Sequence, residues 1–103
     1  MKLDLTKEIL NLENEPIKRP DKKNGEVNVT LQYAVCEALL ANFIDEKIDS
    51  DEKIKRFKLA LKINENPKEV NLKAEEIILI KTLVGKAWTP GVIGRLSQEL
   101  GEI

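Results

Sequence analysis

The chain has 103 residues, with 17 Lys and Arg against 18 Asp and Glu, one Cys, one Trp and no His. Its length and its 42% apolar content support one modest core, since about 100 residues bury roughly two-thirds of their unfolded surface. One thiol cannot close an internal disulfide or build a structural zinc site, and without His the Ser–His and Cys–His nucleophile pairs cannot form.

Residues 1–29 read as an N-terminal β-hairpin and extended segment with a basic loop, and 30–103 as a helical domain, the two forming one compact unit. The opening Met1-Lys2-Leu3-Asp4-Leu5-Thr6-Lys7-Glu8 mixes charges at once and lacks a signal peptide's apolar core. No apolar run approaches the roughly 20 residues that cross a bilayer, so the expected location is the cytoplasm, with no membrane contact. Ile9-Leu10-Asn11-Leu12, the polar Glu13-Asn14-Glu15 and then Pro16-Ile17 suggest a hairpin in which Pro16 occupies an edge strand. Lys18-Arg19-Pro20-Asp21-Lys22-Lys23-Asn24-Gly25 reads as a mobile loop with an Asn-Gly turn, and Val27 and Val29 as a brief third extended piece.

Thr30 is a good N-cap for a first helix from Leu31 to about Asn42, with Leu31, Val35, Ala38 and Leu39 on one face and Cys36 beside them as a small core residue. Asp45-Glu46-Lys47-Ile48-Asp49-Ser50-Asp51-Glu52 lacks the glycine and the ligand alternation of a calcium loop, and reads as a solvated connection. Ser50 then caps a second helix through Ile63, with Ile54, Phe57 and Leu61 as its inner stripe and Asn64-Glu65-Asn66-Pro67 as its stop. A third helix starts near Lys73-Ala74-Glu75-Glu76. Its run Ile77-Ile78-Leu79-Ile80, followed by Leu83-Val84, is apolar on nearly every side and predicts the central, buried helix. Thr89-Pro90 opens a fourth helix with Val92, Ile93, Leu96 and Leu100 inward. The expected fold is mainly α within an α+β class: a short N-terminal hairpin followed by a bundle of about four helices.

Charge is unevenly spread. Residues 30–50 carry one basic and four acidic groups, whereas 51–68 carry six basic and three acidic. The second helix therefore holds the basic cluster Lys53, Lys55, Arg56, Lys58 and Lys62, a thin footprint for phosphate binding in a chain of pI about 5.6. The third and fourth helices have the look of a helix-turn-helix over residues 74–100, in which Arg95 and Gln98 would face bases. Gly91-Val92-Ile93-Gly94 lacks the strands of a single-strand clamp, and Gly85-Lys86 lacks a phosphate loop's spacing. The two glycines are better read as permitting close approach of the third and fourth helices. Trp88 has two readings, a buried hinge residue whose N–H finds a backbone partner, or an exposed interface residue.

Leu3-Asp4-Leu5-Thr6, the turn from Leu10 to Ile17, Thr30-Leu31 with Ala38-Leu39-Leu40, Glu52 to Ala60, Ala74 to Lys81, and Thr89 to Gly94 cover most of the chain. In that arrangement it resembles a family of short uncharacterised proteins encoded by tailed phages and prophages. The resemblance implies an accessory role and brings no catalytic or ligand residues with it. The expectation is a non-enzymatic protein, without cofactor or metal, that binds a host or phage protein or itself in assembly or host interaction. Its candidate interaction surface is Lys55, Arg56, Lys58, Lys62, Trp88 and Arg95. A small DNA-binding regulator is the alternative.

Overall fold

Three of the four helices among the described residues start where a side-chain acceptor meets an orphan amide. Thr30 is extended, at φ −102° and ψ 164°, and its hydroxyl accepts from the Tyr33 amide at 3.2 Å, opening α1 (Leu31–Leu40). The acceptor that opens α2 (Ser50–Glu65) is Asp49, not Ser50: its carboxylate takes the Glu52 amide at 2.9 Å, and Ser50 is already helical. Lys73, before α3 (Ala74–Ala87), has no acceptor to offer, and the Glu76 carboxylate instead reaches back to the Lys73 N–H at 2.8 Å. Thr89 opens α4 (Pro90–Leu100), its carbonyl accepting from Val92 and Ile93. The computed structural model describes residues 2–44 and 46–100.

Among the described residues four short strands accompany the helices. β1 (Lys2–Leu3) pairs antiparallel with β4 (Val70–Asn71), with Leu3 opposite Val70, so the N-terminus is tied to the α2–α3 connection. β2 (Lys18–Asp21) and β3 (Gly25–Asn28) form a hairpin closed by Gly25 at φ 76°. The basic stretch expected to be a mobile loop is thus half strand, with Lys18 to Asp21 paired residue by residue to Asn28 to Gly25. Pro20 masked that pairing, because a proline is tolerated only where its missing N–H faces away from the ladder. The hairpin expected at Ile9–Ile17 exists as a narrow ladder. Ile17 N–H donates to Ile9 at 2.9 Å and Asn11 N–H to Glu15 at 2.8 Å, around Asn14 at φ 62°.

α1 is the hub, packing on α2 on one side and α3 on the other, while α4 closes over α3. Leu31, Ala34, Val35, Ala38 and Leu39 give α1 its buried face, and Leu3, Leu5, Ile9 and Val29 from the N-terminal segment enter the same core. α3 is therefore not the central helix its composition suggested. It buries Ile80, Leu83 and Val84 but leaves Ile78 64% exposed, because only one of its faces meets α1 and α4.

The largest departure is the rotation of α2. Ile54, Phe57 and Leu61 are 51%, 54% and 44% exposed, and the buried set is Arg56, Leu59, Ala60 and Ile63. Nor do the α4 glycines serve close packing: a Cβ on Gly94 would meet nothing within 4 Å, and one on Gly91 only the Thr89 hydroxyl at 4.0 Å. Gly94→Ala should therefore stabilise the fold by about 1 kcal/mol through helix propensity. In a thermal melt that raises the midpoint by roughly 5 °C.

Candidate interaction surface

Of the six residues singled out by charge and type, three keep a surface role. Lys55, Lys58 and Lys62 stand on the α2 side of an open groove of about 530 Å³ between α2 and α3, with Lys73, Glu75 and Glu76 opposite. Lys62 pairs with Glu76 at 3.3 Å. Burial alone would push the Glu76 carboxyl up, but the Lys73 amide and Lys62 outweigh it and hold the group below its ordinary value. Among the described residues Lys55 and Lys58 carry no ion pair.

Arg56 belongs to the interior. It is 5% exposed, and its two terminal nitrogens donate to the two Glu46 oxygens at 2.7 Å each, with Nε reaching Glu52 at 3.3 Å. This fork-on-carboxylate geometry suits a planar guanidinium, and it fastens the α1–α2 connection to α2. The acidic connection is accordingly only partly solvated. The Arg56 hydrogen bonds hold the Glu46 carboxyl below its ordinary value against the cost of burial, and Glu46 in turn raises Arg56.

Arg95 is also occupied. Nε donates to the Leu10 carbonyl at 3.0 Å, and a terminal nitrogen donates to the Asn11 carbonyl at 2.8 Å and to Asn14 Oδ1 at 3.3 Å. It stitches α4 to the turn of the Ile9–Ile17 ladder and no longer offers a base-reading fork. Arg95→Ala should cost about 2 kcal/mol, because charged hydrogen bonds to two carbonyls are lost. Hydrogen exchange should show the Asn11 and Ile17 amides losing protection while those of α1 keep theirs.

Trp88 has the backbone partner that the hinge reading expects, without the full burial. Half-buried, it donates from Nε1 to the Ala34 carbonyl at 2.9 Å and stands edge-on to Tyr33, with ring centroids 6.2 Å apart. Cys36 is half-buried at the α1–α2 contact, its thiol donating to the Ala60 carbonyl at 3.7 Å; burial first, and Glu37 second, push its pKa up. A thiol held protonated in this way is a poor nucleophile.

The surface that charge did not reveal is apolar. Ile54, Phe57 and Leu61 recur at i, i+3 and i+7 along the outward side of α2, and Leu40 at the end of α1 is 55% exposed. Leu40, Phe57, Leu61 and Cys36 line a shallow hollow of about 190 Å³. The crest of α2 therefore separates two features, an apolar hollow towards α1 and a groove towards α3 that carries Lys55, Lys58, Lys62 and Lys73 together with Asp51, Glu75 and Glu76, with Ile54 at its edge. The spacing of the three residues was visible in the sequence. On the inner face Arg56 is paired with Glu46, which satisfies the charge that sits there. Among the described residues no group of three His, Cys, Asp or Glu side chains is placed to hold a metal ion, and no helix is long and apolar enough to cross a membrane.

No protein-family model, curated protein or solved structure matches the chain.

Proposed function

We propose that the chain is a small non-enzymatic interaction protein whose contact surface is the outward face of α2. The single observation that carries this reading is the exposed Ile54–Phe57–Leu61 stripe, continued by Leu40, on a chain that buries an arginine on the opposite side of the same helix. Single exposed apolar residues are ordinary, but a row of them on one helix face is the usual mark of a binding surface. Burying such a side chain completely is worth about 1.5–3 kcal/mol, so covering three half-exposed ones gains roughly 3 kcal/mol before the cost of association. The accessory role that a likeness to short phage and prophage proteins would imply is part of this proposal. The DNA-binding alternative is not favoured, because Arg95 is turned to the N-terminal turn.

Affinity capture with the intact chain, Phe57→Asp and Ile78→Asp tests the reading. Prey recovered with the wild type and with Ile78→Asp should be lost with Phe57→Asp. An identical prey set from all three would overturn it.

A further inference from the structure

Resting on the reading of α2's outward face as a contact surface, the charges that border it narrow the kind of partner. The crest from Ile54 to Leu61 rises about 10 Å at 1.5 Å per residue, a length that two turns of a partner helix match. Lys58 lies between Ile54 and Leu61 in sequence and, with Lys55, borders the crest on the α3 side; neither is paired among the described residues. The apolar hollow lies on the other side, towards α1. A complementary ligand thus has an apolar stripe for the crest and hollow, and carboxylates along the one edge that overlies the lysines.

We infer that the occupant is an amphipathic helix of another protein, apolar on one face and acidic along one edge. A second copy of this chain fits poorly. Two α2 helices laid antiparallel with Ile54 opposite Leu61 would set Phe57 against Lys58 and Lys53 against Lys62, and a parallel pair would also set lysines towards lysines. A nucleic acid could meet the lysines but would leave the apolar crest uncovered. An acid-edged helix satisfies the crest and the lysines together. Its acidic edge adds specificity and encounter rate, while the apolar contact at Phe57 supplies the affinity.

The test is fluorescence anisotropy of the full chain with three synthetic helical peptides. They share one apolar stripe and carry Glu, Gln or Lys along one edge. The Glu-edged peptide should bind about tenfold more tightly than the Gln-edged one, from a few rim charge pairs. That preference should vanish in Lys55→Glu/Lys58→Glu, and all binding should vanish in Phe57→Asp. No binding of the Glu-edged peptide, equal binding of all three, or a Phe57-dependent dimer in sedimentation would each overturn the inference. Phe57-dependent capture without any acid preference would overturn the acidic helix while leaving the contact face standing; capture independent of Phe57 would remove both.

Discussion

Ile63→Ala should lower the unfolding free energy by about 3–4 kcal/mol, measured by urea denaturation. Ile63 is fully buried in the core that the four helices share with the N-terminal segment, and truncation removes three carbons' worth of transfer energy and leaves a cavity. A domain of this size is stable by roughly 5–15 kcal/mol, so the loss is a large part of the whole. Phe57→Ala removes a larger side chain from the same helix, yet should change stability by less than about 1 kcal/mol, because more than half of that residue is already in water. If α2 were turned with Ile54, Phe57 and Leu61 inward, the two effects would exchange places.

Arg56→Ala should cost about 3 kcal/mol. The guanidinium is buried while Glu46 keeps a sixth of its side chain in water, which places the loss at the low end of what a broken buried pair costs. Arg56→Met with Glu46→Gln should recover most of it, since the aliphatic packing returns and no unpaired charge is left. The pair also writes a pH dependence. The Glu46 carboxyl is lowered in the folded state, chiefly by its hydrogen bonds from Arg56, so the unfolded chain binds the proton more readily. Its contribution is complete above the ordinary carboxylate pKa and is lost as pH falls through the lowered folded value. Acid titration of stability should be flatter in Glu46→Gln than in the wild type; an identical acid limb in both would contradict this role.

Two of the helix starts were legible because their signals are local. Thr30 and Thr89-Pro90 declare two starts within a turn of themselves, and the core of α4, with Val92, Leu96 and Leu100 inward, follows directly from its spacing. What was not legible depends on residues distant in sequence. α2 carries two candidate apolar faces, Ile54–Phe57–Leu61 and Leu59–Ala60–Ile63, and the second contains an arginine that local reasoning sends outward. The buried face is the one whose arginine has a partner, Glu46, ten residues before it. Arg95 similarly owes its role to carbonyls of Leu10 and Asn11 at the other end of the chain. β1 and β4, two residues each, are too short to show any alternation and exist through their pairing with each other. The site followed the same rule. The lysines of α2 were found from composition, while the apolar crest was recognised by its spacing and assigned to the wrong side.

Cysteine-labelling rates at positions 57 and 63 test the outward face of α2 most directly. In a Cys36→Ala background, Phe57→Cys should react with a maleimide within about tenfold of an unfolded peptide, whereas Ile63→Cys should be protected by a factor of about a hundred or more. The Glu-edged helical peptide should slow labelling at 57 and leave 63 unchanged. Protection at 57 together with free reaction at 63, in the chain alone, would contradict the exposed crest and the contact surface built on it.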